Sequence, residues 1–204
     1  MADTKPRNSP PIAVSDEEMA RARLYNFIAA LLSRPPVQSE IDIAGSLDGD
    51  ASPLGMALSR LASAARATTA EGAADAFQTL FIGLGRGELL PYASFYLTGF
   101  LQEKPLARLR GDLGRLGIVR DAGVAEPEDH AASILEAMAG MIDGTFGPQL
   151  TLEAQKLFFN AHVASWMPHF FKDLEESQTS PFYAALGAVG ACFIEVEEEA
   201  FRMV

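Results

Sequence analysis

Residues 80–130 read LFIGLGRGELLPYASFYLTGFLQEKPLARLRGDLGRLGIVRDAGVAEPEDH. An apolar helix end at Phe77, Leu80 and Phe81 runs into a glycine-rich turn at Gly83, Gly85 and Gly87. The proline–aromatic segment Pro91-Tyr92-Ala93-Ser94-Phe95-Tyr96 follows. A basic stretch from Pro105 to Leu116 then has the spacing of a short helix, and Glu126-Pro127-Glu128-Asp129-His130 closes the stretch. Two polar or aromatic clusters thus flank one helix, each at an element boundary. Binding groups concentrate at such boundaries, because rigid elements present them while the backbone there stays accessible.

Helical periodicity dominates on both sides. Ser15-Asp16-Glu17-Glu18 is a capping-box signature, and Ala20, Leu24, Phe27, Ile28 and Leu31 recur behind it at helical spacing until Pro35-Pro36. Residues 37–52, rich in Asp, Gly and Ser, predict a loop with at most a short helical turn. Residues 54–67 and 71–82 predict two further helices. Downstream, Pro127 suits a first helical turn, with Glu128 and Asp129 at the positive end of the dipole. Ile134, Leu135, Met138 and Ile142 carry that helix's buried stripe, ended by Gly144 and Gly147-Pro148. Residues 151–176 predict a helix that Pro168 kinks or splits, and Pro181 opens a last one reaching Phe201. No period-two strand pattern and no internal repeat occur. The fold class expected is all-α, a single-domain helical bundle over residues 15–204 behind a disordered tail of residues 1–14.

Composition narrows the function. The chain has 204 residues, enough for a real core, and is 49% hydrophobic and 21% charged. Its formal net charge of −11 makes it a poor nucleic-acid binder and a better match for a cationic partner. The lone Cys192, in an apolar run, makes no intramolecular disulfide and reads as a core residue in a reducing compartment. No signal-peptide core, bilayer-spanning stretch or Arg-Arg pair is present, so a soluble, cytoplasmic protein is expected.

The motifs admit several chemistries, among them a helical metal-dependent enzyme. Glu126, Asp129 and His130 lie at i, i+3 and i+4, so on a helix they would share a face and could ligate a metal with His162. Helical di-iron sites, however, repeat Glu-x-x-His, and no such pair exists here. Ser94 lacks a nucleophile elbow, and the glycines at 83, 85 and 87 lack the Lys-Ser/Thr of a phosphate loop. Asp129 has two readings, a carboxylate for a bound cation or a helix cap. His130 has two likewise, a surface group or a core histidine. The run Glu195, Glu197, Glu198, Glu199 reads as a solvated helix face.

The motifs taken together are more specific. Leu80-Phe81, then Leu90-Pro91-Tyr92-x-Ser94-x-Tyr96, then Glu126-Pro127-x-Asp129-His130, with Phe158-Phe159-x-x-His162-x-x-x-Trp166 behind them, resembles the TorD/DmsD family of redox-enzyme maturation chaperones. The resemblance spans roughly residues 15–204. It implies a cytoplasmic chaperone without cofactor or enzymatic activity. Such a chaperone binds the twin-arginine signal peptide, and sometimes the body, of an apo-molybdopterin oxidoreductase until its cofactor is inserted. The positions matching the family's peptide groove are Leu80, Phe81, Pro91, Tyr92, Ser94, Tyr96, Glu126, Asp129 and His130. Relatives often carry Trp where Tyr92 stands. Some relatives are linked to guanine nucleotides, a property no phosphate loop supports here. A monomer or a helix-swapped dimer is compatible with the glycine-rich hinges.

Physical chemistry agrees with the resemblance. A twin-arginine leader places two guanidinium groups ahead of an apolar segment, and its recognition needs carboxylates and an apolar surface. On the sequence, Glu126, Glu128 and Asp129 supply the first, and Leu80, Phe81, Tyr92 and Tyr96 the second. Asp129 and His130 are expected on the binding surface, pointing from a helix start.

Overall fold

The computed structural model describes residues 14–119, 123 and 126–204. Most of the expected disordered tail, residues 1–13, lies outside the described residues. Ten α-helices are present among those described: α1 (Asp16–Ser33), α2 (Gln38–Gly45), α3 (Pro53–Arg66), α4 (Ala70–Phe77), α5 (Ala93–Thr98), α6 (Lys104–Arg115), α7 (Ala131–Asp143), α8 (Leu152–His162), α9 (Met167–Glu176) and α10 (Pro181–Arg202). A π-helical turn, Gln78–Ile82, extends α4. The expected all-α class holds.

The start of α1 follows its sequence. Ser15 Oγ accepts the Glu18 amide at 3.2 Å and Glu18 Oε2 accepts the Ser15 amide at 3.1 Å, which satisfies two end donors reciprocally. The stripe it buries is Ala22, Tyr25, Ile28, Ala29, Leu31 and Leu32, which includes the expected Ile28 and Leu31 but is rotated from the other three: Ala20 is exposed and Leu24 and Phe27 are only half-buried. The segment expected to be loop after Pro36 contains the two-turn α2. Its Glu40 accepts the Val37 amide at 2.9 Å and so caps it without a hydroxyl.

Helix α7 is buried on nearly every side, from Ala131 to Ile142, which places it at the centre. A helix apolar all round has no face to offer water. Helix α1 packs on it, while α10 packs on α9 and α3. Small residues set the α9–α10 approach. A Cβ at Gly187 would stand 2.4 Å from the Glu175 backbone nitrogen and 2.8 Å from the Phe171 carbonyl oxygen. Pro168 does split residues 151–176. It occupies the first turn of α9, where no amide partner is needed, and α8 stops at His162.

Two expectations fail in α10 and its surroundings. Glu197 is not solvated but buried. Arg21 donates Nε to its Oε1 and Nη2 to its Oε2, each at 2.7 Å, and the Tyr25 hydroxyl donates to Oε2 at 2.9 Å. Only its neighbours Glu195 and Glu199 are exposed. Cys192 is half-buried against the core rather than within it, and burial raises its thiol pKa.

Candidate functional site

The segments around Tyr92 and His130 meet. Ala93 donates its amide to the Asp129 carbonyl at 2.9 Å, and Ala131 donates to the Pro91 carbonyl at 2.8 Å, which forms one antiparallel bridge between Tyr92 and His130. Each segment then starts a helix, α5 or α7. Backbone groups that would be orphaned at two helix entries are thereby spent on each other.

Side chains finish the capping. Asp129 Oδ2 accepts the Ser94 amide at 2.9 Å, so a residue from one segment caps the helix begun by the other. His130 Nδ1 accepts the Ala132 amide at 3.1 Å and caps α7 itself. Helix α7 begins at Ala131 rather than at Pro127, whose carbonyl instead accepts the His130 amide at 3.1 Å in a turn. The expected shared helical face of Glu126, Asp129 and His130 does not exist.

Burial corrects the expectation for Asp129 and His130. Asp129 is 1% exposed and His130 7% exposed, so neither is a surface group. Asp129 Oδ1 is buried with no partner among the described residues. Burial lowers the His130 pKa to about 4, against the pull of Glu126 and Asp129, and keeps the ring neutral at pH 7. Ser94 is fully buried, and its hydroxyl accepts the Glu103 amide at 3.3 Å. Leu80 and Phe81 are core residues. Phe81 packs edge-on against Phe77 and Tyr183, and the Leu80 carbonyl accepts the Leu89 amide at 2.8 Å.

What faces outward is a pair of tyrosines one turn apart, Tyr92 at the entry of α5 and Tyr96 within it. Tyr92 is half-buried, stands edge-on to His130 at 5.1 Å between ring centroids, and donates its hydroxyl to Glu126 Oε2 at 2.5 Å. Tyr96 is half-buried against Trp166 and Phe170 and donates to Asp173 Oδ2 at 2.9 Å. Burial first, then the adjacent carboxylate, raises both phenol pKa values, so neither ionises near neutrality. Glu126 and Asp173 are exposed. Glu128, by contrast, holds Arg110 of α6 at 2.8 Å.

Asp173 was missed on the sequence. Its only signal is its place three residues after Phe170 in α9, and nothing in that spacing ties it to Tyr96. His162 lies apart from the cluster: its Nε2 pairs with Asp112 of α6 at 2.7 Å. Glu126, Asp129, His130 and His162 therefore do not converge, and among the described residues no three His, Cys, Asp or Glu side chains form a metal-binding group.

The family described as nitrate reductase delta subunit matches residues 47–172. Chaperone protein TorD of Vibrio cholerae is 32% identical over 195 residues, covering 91% of this chain and 83% of that protein. The chain belongs to the TorD chaperone family. TorD of Aliivibrio fischeri is 28% identical over 201 residues, covering 87% and 92% of the two chains. A solved structure described as a redox enzyme maturation protein of Archaeoglobus fulgidus is similar in fold. It superposes with a TM-score of 0.57 at 20% identity, over 93% of this chain and 99% of that one. In this TorD-family chain the bridge between Tyr92 and His130 joins the two motifs that carried the resemblance. No helix among the described residues is long and apolar enough to cross a membrane.

Proposed function

We propose that this TorD-family chaperone works in the cytoplasm on a molybdopterin-containing oxidoreductase. It binds the twin-arginine signal peptide and apo form of that enzyme, assists cofactor insertion and delays export until maturation. The observation that carries the reading is the pair of tyrosine–carboxylate contacts, Tyr92 with Glu126 and Tyr96 with Asp173. Each offers a guanidinium an aromatic surface beside an anion. A carboxylate has about four lone-pair positions, so each can keep its tyrosine and still accept from an arginine.

Magnitudes divide the labour. An exposed carboxylate–guanidinium pair contributes about 1 kcal/mol net. Micromolar affinity needs about 8 kcal/mol, so apolar contact with the tyrosine rings must supply most of it; Pro91, expected in the groove, is buried and offers a leader no surface. Selection for arginine comes from the acids. Ser94, Asp129 and His130 act from beneath, holding the start of α5 and its tyrosines in place, while Leu80 and Phe81 belong to the core, Phe81 against Phe77 and Tyr183.

Calorimetric titration with a twin-arginine leader peptide and its Lys-Lys counterpart tests the proposal. The reading expects saturable binding of the first and at least several-fold weaker binding of the second, because lysine cannot make the bidentate, stacked contact. Equal affinities, or none, would contradict it.

A further inference from the structure

Helix α6 is cationic in an acidic protein. Lys104, Arg108 and Arg115 fall at i, i+4 and i+11, which places them within a narrow arc of one helical face. Arg110, off that face, is spent on Glu128. Arg115 contacts Asp112, whose other oxygen receives the His162 imidazole at 2.7 Å. Arg108 forms no ion pair among the described residues, although it stands close enough to His162 to oppose that ring's protonation.

Arg115 of this row lines a cleft of about 380 Å³ between α6 and α8, together with Asp112, Leu116, Leu157, Phe158 and His162; Lys104, a turn before Arg108, lies exposed outside that lining. A narrow extension of it shares Ala161 and His162 and reaches Arg108, Pro105 and Leu97. The apolar lining is open to solvent: Leu157 is 66% exposed and Leu97 45% exposed. The Asp112–His162 contact joins the two walls, so the groove is preformed rather than opened by a ligand. None of Tyr92, Tyr96, Glu126 and Asp173 lines it, although the narrow extension also touches Ala93 of α5 and Trp166. A twin-arginine segment would meet cations here, the reverse of the chemistry at Tyr92 and Tyr96.

We propose that the α6–α8 cleft is a second docking surface, and that its occupant is an amphipathic helix of a partner protein with an acidic polar face. Leucines of such a helix cover Leu157, Phe158 and Leu116, and its carboxylates meet Lys104, Arg108 and Arg115, the helix-in-groove mode of recognition. The net charge of −11 does not forbid this. Screening confines each charge's reach to roughly 8–10 Å at ordinary ionic strength, so the local row decides. A phosphate backbone is the weaker match, because it leaves the exposed leucines uncovered. The proposal stands whether or not a twin-arginine leader binds elsewhere.

Fluorescence anisotropy on the full chain tests it. The probe is a synthetic Leu/Glu/Ala amphipathic helix of roughly 18 residues, about five turns. A control carries Lys in place of Glu, and an oligothymidylate serves as a phosphate probe. The acidic peptide is expected to bind saturably and to weaken about tenfold or more in Arg108→Glu and in Leu157→Asp. Excess twin-arginine leader should not displace it. Arg108→Gln and Leu157→Ala, with melting curves, keep the test decisive should either stronger variant unfold; they should lose affinity in the same order. Four results would overturn the proposal: no binding, equal binding of the lysine peptide, unchanged affinity in the Arg108 and Leu157 variants, or Arg108-dependent binding of the oligonucleotide alone. Displacement by the leader would overturn the separateness of the surface.

Discussion

Asp129 caps a helix that does not belong to its own segment: its Oδ2 accepts the Ser94 amide of α5 at 2.9 Å while the backbone beside it pairs with Ala93. The Asp-His pair therefore builds the site from within. Asp129→Ala should leave the buried Ser94 amide without an acceptor and cost about 1–3 kcal/mol of stability. Asp129→Asn, which keeps an oxygen there, should cost less. Urea unfolding of the two variants checks the order, and equal midpoints for wild type and Asp129→Ala would remove the cap from the account.

His130 gives the fold a pH dependence of defined sign. Above about 6.5, its ordinary value, the imidazole is neutral in folded and unfolded chains alike. Between there and about 4 the unfolded chain binds a proton that the buried ring refuses. Stability contributed by the neutral ring is therefore lost as pH falls, by up to about 3 kcal/mol. His130→Asn keeps a good helix cap without the titration. The stability difference between wild type and His130→Asn should shift across that window against wild type; a constant difference from pH 7 to pH 4 would refute the buried neutral histidine.

The Arg21–Glu197 pair ties α1 to α10 beneath the surface. Glu197→Leu leaves a largely buried guanidinium and the Tyr25 hydroxyl without their acceptor, an expected loss of about 3–5 kcal/mol. Adding Arg21→Met should recover part of that loss. Two losses that simply add would mean the pair is not coupled.

Glycine at 187 is required by contact, not by conformation. Alanine usually gains about 1 kcal/mol over glycine inside a helix. At Gly187 its methyl would meet the backbone of Glu175 and Phe171, which cannot step aside. Gly187→Ala should destabilise by about 1–3 kcal/mol. Gly111→Ala, on the exposed side of α6 with open space around it, should stabilise. Thermal melts of the two variants should move in opposite directions.

How much of this was legible in the sequence depends on the range of the interaction. The Ser15 cap, the split at Pro168 and the buried run of α7 rest on neighbours within a turn or two, and all were readable. So was the pairing of the two site motifs in one family pattern. The burial of Asp129 and His130 was not, because it depends on a backbone bridge across 38 residues between Tyr92 and His130. Glu197 was misread for the same reason: in a run of glutamates, only Arg21 on a distant helix distinguishes it from its neighbours. The place of Asp173 three residues after Phe170 did not mark it either, since the hydroxyl that singles it out comes from Tyr96 on α5.

The central claim is that α5 offers two tyrosine–carboxylate pairs to the arginines of a leader. Its most direct measurement is calorimetric titration of a twin-arginine leader peptide into wild type, Tyr92→Ala, Glu126→Gln and Asp173→Asn, with melting curves on each. These side chains are exposed or half-buried, so all four proteins should remain folded. Tyr92→Ala should lose affinity most, because it removes apolar contact. The two carboxylate variants should each lose several-fold, by an amount that shrinks at high salt. Wild-type affinity in all three folded variants would contradict the account.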